Sequence, residues 1–321
     1  MKRVSILLAT YNGEKYLAEQ LDSILNQTYS NLKIYISDDV SSDRTVEILS
    51  KYVSKYPNKI NVINTKKRNG NATHNFSYLF ENVQDDSDYY MFCDQDDVWM
   101  PNKVELLVDK IEKMEKKGLK NNLVYCDASV VNENLDEISS SFYKYAKLHY
   151  SGEKNKLMIT NDVPGAAMLF DRNLKIISGK IPKECYVHDF WLMLYATFYG
   201  NVEFVDEALY KYRQHSDNVA GSGIDMSIKG IIDYLKKYSI LKIYKDVANL
   251  YRKQAELQKN TIASFYEKNE NNLKDSDKEM MNAYFSLFKN KSKVRKIYYI
   301  FKYKLFHNTV FRTLIFIITM R

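Results

Sequence analysis

Between residues 4 and 127, short apolar runs alternate with segments whose apolar residues recur at helical spacing. Val4–Ala9, Leu32–Ser37, Ile60–Asn64, Tyr89–Cys93 and Leu123–Asp127 read as strands. Leu17, Leu21, Ile24 and Leu25, then Val46, Leu49 and Val53, then Phe76–Val83 and Lys103–Met114 supply the helices between them. A chain of this pattern lays its strands in a mostly parallel sheet and covers both faces with helices. Ligands of such sheets bind beyond the carboxyl ends of the strands. Chemistry is therefore expected in the residues that follow each run.

Those residues are polar and acidic. Thr10-Tyr11-Asn12-Gly13 follows the first run, and no G-x-G-x-x-G stands there, which argues against a dinucleotide fold. Tyr11 and Asn12 suit a turn and helix cap as well as a ligand. Asp38 and Asp39 follow the second run, and adjacent carboxylates repel unless they accept hydrogen bonds or face a bound group. Asp43, with Thr45 and Glu47 behind it, reads as a cap for the next helix, which leaves Asp39 as the ligand-facing residue. Asp94-Gln95-Asp96-Asp97 follows the fourth run. Three carboxylates within four residues call for a cation or strong donors, and hard oxygens suit Mg²⁺ or Mn²⁺ bridged to substrate phosphates. A solvated acidic turn is the alternative, but Trp99 and Pro101 lead into a helix that should pack the loop down.

Past residue 150 the pattern changes. Gly165–Phe170 reads as a strand, Asp189–Tyr199 as a helix opened by His188-Asp189, and Val202–Tyr212 as strand pieces. Arg213 and His215 stand two apart on an extended segment, so they point to one side. They fit a diphosphate or metal partner, or a surface pair. After Gly223 the chain reads as predominantly helical, with Lys268–Lys278 a solvated connection between helices.

The net charge of +7 is local. Nine Lys or Arg and no acid lie between Lys289 and Arg321, and removing them leaves 38 basic residues against 40 acidic. A nucleic-acid binder would carry its basic face on the body. Val294, Ile297, Tyr298, Phe301 and Leu305 form one helical stripe, ringed by Lys293, Arg295, Lys296, Lys302 and Lys304. A basic amphipathic helix of this kind reads as a membrane-surface element. Packing on the body or on a second subunit, as in a homodimer, is the alternative. No apolar stretch reaches the roughly 18 residues that span a bilayer. Val4–Ala9 is too short for a signal-peptide core. Three scattered cysteines (Cys93, Cys126 and Cys185) fit neither a zinc pattern nor a disulfide framework, which points to a reducing cytosol.

The segments ILLATYNGEKYLAEQLDSILNQTY, DDVSSDRT and CDQDDVWMPNKV are similar to the nucleotide-binding half of family 2 glycosyltransferases of the GT-A fold. PGAAMLF, VHDFW and YKYRQHSDNVAG resemble that family's acceptor half, in the form found in bacterial rhamnosyl- and galactosyltransferases of surface polysaccharides. The resemblance implies an α/β GT-A domain over residues 1–221, with a nucleotide-binding half (1–130) and an acceptor half (131–221). A helical region over 222–321 would follow, ending in the basic tail 289–321. It also implies an inverting, metal-dependent transfer from a nucleotide diphosphate sugar to a hydroxyl of a lipid-linked glycan. The donor would be dTDP-rhamnose or a UDP-hexose. By that resemblance Thr10, Tyr11, Asn12 and Asp39 hold base and ribose, and Asn69, Gly70 and Asn75 extend the donor pocket. Asp94 and Gln95 contact the donor, Asp96 and His215 ligate Mg²⁺ or Mn²⁺, and His215 and Arg213 close on the diphosphate. Asp189 is the catalytic base, flanked on the acceptor side by Gly165, Ala166, His188 and Trp191. His188 stands where the family usually has Glu, and Val40 where it usually has Gly. The competing readings are a nucleotidyltransferase, which would carry a basic glycine-rich loop after the first strand, and a non-catalytic membrane-associated scaffold with a degenerate site.

Overall fold

The computed structural model describes residues 1–63, 68–84, 86–149, 151–215, 240–290 and 292–319. The expected boundary at residue 221, the start of the helical region up to residue 239, and Asn64 at the end of the third strand lie outside them. The chain divides into two compact units. The first comprises residues 1–146, 163–183 and 187–213, and the second residues 147–162, 184–186 and 214–321.

The first unit is the strand–helix alternation made solid. β1 (Val4–Thr10), β2 (Leu32–Asp38), β3 (Ile60–Val62) and β4 (Tyr89–Cys93) are joined through α1 (Leu17–Leu25), α2 (Thr45–Lys55) and α3 (Ala72–Asn82). Every residue of β1 and β4 is buried, as expected of parallel strands covered on both faces. The short β5 (Val98–Trp99) and α4 (Lys103–Lys116) lead to β6 (Asn122–Val131), β7 (Glu137–Ser139) and α5 (Phe142–Ala146). After α6 (Lys154–Leu157) of the second unit come β8 (Met168–Asp171), α7 (Arg172–Ser178), α8 (His188–Tyr199) and β9 (Asn201–Arg213). α8 is apolar almost all round and buried from His188 to Ala196, the mark of a core helix.

The sheet order is β3-β2-β1-β4-β8-β6-β9-β5, with β7 on β6. β1, β2, β3 and β4 run parallel, β8 runs antiparallel to both β4 and β6, and β9 runs parallel to β6. The sheet is therefore mixed. One expected element differs: Gly165–Ala167 is a 3₁₀ turn, and the strand begins only at Met168. Proline at 164 and glycine at 165 disfavour a ladder there.

Register explains why the polar turns meet. Thr10 pairs with Asp38 and Leu8 with Cys93, so β1, β2 and β4 end at one edge. Because β8 is antiparallel to β4, with Tyr89 opposite Asp171, the turn preceding β8 lies at that same edge. β9 reaches it too, Val131 standing opposite Arg213.

The second unit is helical. α9 (Ile240–Asn269), α10 (Asp275–Lys289), α11 (Lys293–Lys302) and α12 (Val310–Thr319) follow one another. The connection expected at Lys268–Lys278 is shorter than that: α9 runs to Asn269, a 3₁₀ turn covers Glu270–Asn272, and α10 begins at Asp275. Ile262, Phe265, Met281, Tyr284, Leu287, Ile300 and Leu305 are buried in this unit. Cys93, Cys126 and Cys185 are buried.

Candidate active site at the strand ends

The turns after β1, β2 and β4 are laced to one another through backbone amides. Asn12 N–H donates to Ser41 Oγ at 2.8 Å, Gly13 N–H to Thr45 Oγ1 at 2.8 Å and Glu14 N–H to Asp43 at 3.0 Å. Asn12 Oδ1 in return accepts from the Ser42 amide at 2.8 Å. Asp43, expected to cap α2, stands one residue before its N-cap Arg44 and accepts from the Thr45 amide at 3.0 Å. Gln95 pairs both ends of its amide with Tyr11, accepting from its N–H at 2.9 Å and donating to its carbonyl at 3.0 Å. The acidic loop is thus clipped to the first turn.

The paired carboxylates after β2 are both engaged. Asp38 accepts from Thr10 Oγ1 at 2.8 Å and from the Ser41 amide. Asp39, expected to face a ligand, is 2% exposed and accepts from the Asn69 and Gly70 amides. It thereby folds the turn before α3 against the end of β2. Asn75 is buried and saturated: Oδ1 accepts from Ser37 Oγ and Asn69 Nδ2, while Nδ2 donates to the Ser37 and Thr10 carbonyls. It braces the turns from below and presents no surface of its own. Tyr11 is 39% exposed, with the Arg68 guanidinium 4.3 Å from its ring centre. Arg68 also lies 3.9 Å from Asp39, and sequence reading did not select it.

In the acidic loop, Asp94, Gln95 and Asp96 are half-buried and Asp97 is 1% exposed. Burial, with the negative charges of Asp96 and Asp189 beside it, pushes the Asp94 carboxyl up to about 7. Burial pushes Asp97 up as well. Asp97 Oδ1 accepts from the Arg213 amide, and Oδ2 has no hydrogen-bond partner among the described residues. Arg213, expected at the diphosphate, is instead 2% exposed. Its guanidinium donates to the Asp96 carbonyl at 2.7 Å, the Glu133 carbonyl at 2.6 Å and the Glu19 carboxylate. It is a strut beneath the loop. His215, half-buried, follows at the same strand end.

On the acceptor side, Asp189 lies in the first turn of α8 and its Oδ2 accepts from the Gly165 amide at 2.9 Å. His188 is stacked on Phe76 with ring centres 4.1 Å apart and meets Phe92 edge-on at 4.4 Å. Burial pulls its pKa down to about 3. A Cβ at Gly165 would fall 2.7 Å from His188 Nε2, so a larger residue there would have to displace the stacked imidazole. Ala166 is buried. Trp191 is buried too, its Nε1 donating to the Ser178 carbonyl at 3.1 Å. It packs the core behind the site.

The donor set suits a hard divalent cation. Asp94, Asp96 and the unpartnered Asp97 Oδ2 are carboxylate oxygens, and no ready group of three metal-holding side chains exists among the described residues. One or two carboxylates completed by substrate phosphates is the usual binding mode of Mg²⁺ and Mn²⁺ with nucleotides.

The chain is similar to known proteins in sequence and in fold. The family described as Glycosyl transferase family 2 matches residues 5–175. A dTDP-rhamnosyl transferase of Shigella flexneri, RfbG, is 28% identical over 224 residues, covering 69% of this chain and 76% of that protein. Among solved structures, S. aureus TarS 1-349 in complex with UDP superposes with a TM-score of 0.50 at 18% identity, over 66% of this chain and 60% of that one. A mannosyltransferase from Pyrobaculum calidifontis, PcManGT, in complex with GDP-Man and Mn²⁺, superposes with a TM-score of 0.51 at 15% identity, over 95% of this chain and 84% of that one. With more than half its length matched by the family, and with the fold of its solved neighbours, the chain is a GT-A glycosyltransferase and belongs to glycosyl transferase family 2.

Proposed function

We propose that this glycosyltransferase moves a sugar, with inversion, from a nucleotide diphosphate to a hydroxyl of a lipid-linked glycan during surface polysaccharide synthesis. dTDP-rhamnose is the favoured donor, ahead of a UDP-hexose, on the similarity to a dTDP-rhamnosyl transferase. The observation that carries the reading is the seat of Asp189. Its carboxylate is steered by the Gly165 amide, within electrostatic reach of Asp94, at the edge where β1, β2 and β4 end. A base there faces an acceptor hydroxyl from the side opposite the leaving diphosphate, so a single displacement inverts the anomeric centre.

Asp189 accepts the hydroxyl proton as the bond forms, and a positioned base of this kind contributes about 10²–10⁴-fold. Tyr11 and Arg68 flank the nucleotide, and Asp94 contacts its ribose. Asp96 would hold Mg²⁺ or Mn²⁺, which would neutralise charge developing on the diphosphate. Arg213 keeps Asp96 and Asp97 in place through their backbone and side-chain contacts.

Calorimetry with UDP, dTDP, GDP and CMP, each with and without Mn²⁺, tests the donor reading. Metal-dependent binding of dTDP supports it, and binding of none of the four overturns it in favour of a degenerate scaffold. Asp189→Asn is expected to lower turnover by about 10²–10⁴-fold while dTDP affinity holds. Near-normal turnover would remove Asp189 from the mechanism.

We assign the basic tail to a cytoplasmic, anionic membrane surface, where a lipid-linked acceptor is met. Among the described residues no helix is long and apolar enough to cross a membrane. Val294, Ile297, Tyr298 and Phe301 are 77%, 41%, 56% and 64% exposed, while Lys296 and Ile300 of the same helix are buried. The apolar stripe of α11 thus faces outward between exposed cations, complementary to a negatively charged bilayer.

A further inference from the structure

Lys103 opens α4 with its side chain wholly inside the protein. Its Nζ donates to the Ala166 carbonyl at 2.7 Å and lies 3.9 Å and 4.2 Å from the ring centres of Trp99 and Tyr210. Burial pulls the ammonium's pKa down, and the negative charges of Asp97 and Asp94 oppose that pull. Taking an ammonium out of water costs several kcal/mol unless neighbours replace its hydration. One carbonyl and two aromatic faces do so here. The position lies on the buried stripe of α4 with Val104, Leu107 and Ile111, where an apolar side chain would pack without that cost.

The carbonyl it holds belongs to the Gly165–Ala167 turn, and the same turn donates the Gly165 amide to Asp189. We propose that Lys103 is a positioning residue for Asp189, pinning the Gly165–Ala167 turn from the core side so that the Gly165 amide holds the carboxylate in its working orientation. The inference rests on reading Asp189 as the base. It assigns Lys103 a role in the acceptor half, although the residue follows the acidic loop of the donor half in sequence.

Two full-length variants test it. Lys103→Met removes charge and donor at nearly constant shape, whereas Lys103→Gln keeps a donor for the Ala166 carbonyl and removes the charge. Three quantities are measured: hydrogen exchange of peptides spanning Gly165–Ala167, the Kd for dTDP with Mn²⁺, and kcat. For Lys103→Met, exchange in the turn should quicken and kcat should fall by about 30- to 100-fold, the effect of a displaced catalytic group, with Kd within about threefold. For Lys103→Gln, exchange and kcat should stay within about fivefold of the parent. Unchanged exchange in Lys103→Met overturns the proposal. So does a Kd that weakens in step with kcat, which would make Lys103 a support of the donor loop. If Lys103→Met does not fold, Lys103→Gln decides alone, because collapse of its turnover would mean that charge and not the hydrogen bond matters. Near-normal turnover in Asp189→Asn would sink the base reading, yet the exchange data would still show whether Lys103 holds the turn.

Discussion

Val40 occupies the left-handed region with φ 63° and is 56% exposed. A β-branched side chain is crowded there, and the sequence flagged the position because glycine is usual after the paired aspartates. Val40→Gly should raise stability by about 1 kcal/mol in urea unfolding, the relief of left-handed strain less glycine's entropy cost. A loss would mean that the valine side chain earns its place through contacts. His188 offers a pH-resolved case. Unfolded histidine takes its proton near pH 6.5, whereas burial holds His188 neutral until about 3. Between those values the unfolded chain binds the extra proton, so this group's contribution to stability falls as pH drops. His188→Phe keeps the stacking on Phe76 and removes the unpartnered Nε2. Its stability gain over the parent should be about 1 kcal/mol larger at pH 5.5 than at pH 8. A gain that does not grow with acidity would mean that the imidazole takes up its proton inside the fold.

Side-chain hydrogen bonds tie together the elements around the site. Asn75 on α3 makes four such contacts, reaching the ends of β1 and β2 and the turn before α3. Asn75→Ala leaves the Ser37 carbonyl and Ser37 Oγ without those partners in a buried place, while the Thr10 carbonyl keeps the Asp39 amide. We expect a loss of about 2–4 kcal/mol, measured by urea unfolding, because each orphaned polar group costs about 1–3 kcal/mol. A loss below about 1 kcal/mol would mean that water enters and replaces the amide. The strands and most helices of the first unit were legible as runs and spacings, since a buried parallel strand cannot be polar and an amphipathic helix cannot hide its period. The 3₁₀ turn at Gly165–Ala167 was not, because GAAMLF reads as one apolar run. Nor was the role of Arg213: sequence put it beside His215 on an extended segment, and the antiparallel pairing of β9 with β5, Val98 opposite Lys211, carries it under the acidic loop. Lys103 left a signal that could have been read, a cation at positions i, i+4 and i+8 with Leu107 and Ile111 on a helix's buried face.

For the whole molecule, the testable property is surface attachment. Full-length protein should float with phosphatidylglycerol vesicles, and less so at high salt, because screening weakens attraction between exposed charges. Replacing Val294, Ile297 and Phe301 together with Ser should abolish flotation, each buried apolar side chain being worth about 1.5–3 kcal/mol. If the parent does not float and the triple variant instead dissociates a dimer in sedimentation, a second copy covers that face. The sequence by itself determined the class of fold, the edge at which chemistry gathers and the residue types that gather there, because hydrophobic period and strand-end acidity are local properties. It determined the basic amphipathic stripe of the tail for the same reason. Tertiary structure alone decided which of those residues are spent on the scaffold. Asp39, Asn75, Trp191 and Arg213 are buried against partners 13 to 194 residues away, and Asp189 takes its orientation from an amide 24 residues earlier. A side chain's partner across the sheet depends on strand order and register, and neither is written in the neighbourhood of that side chain.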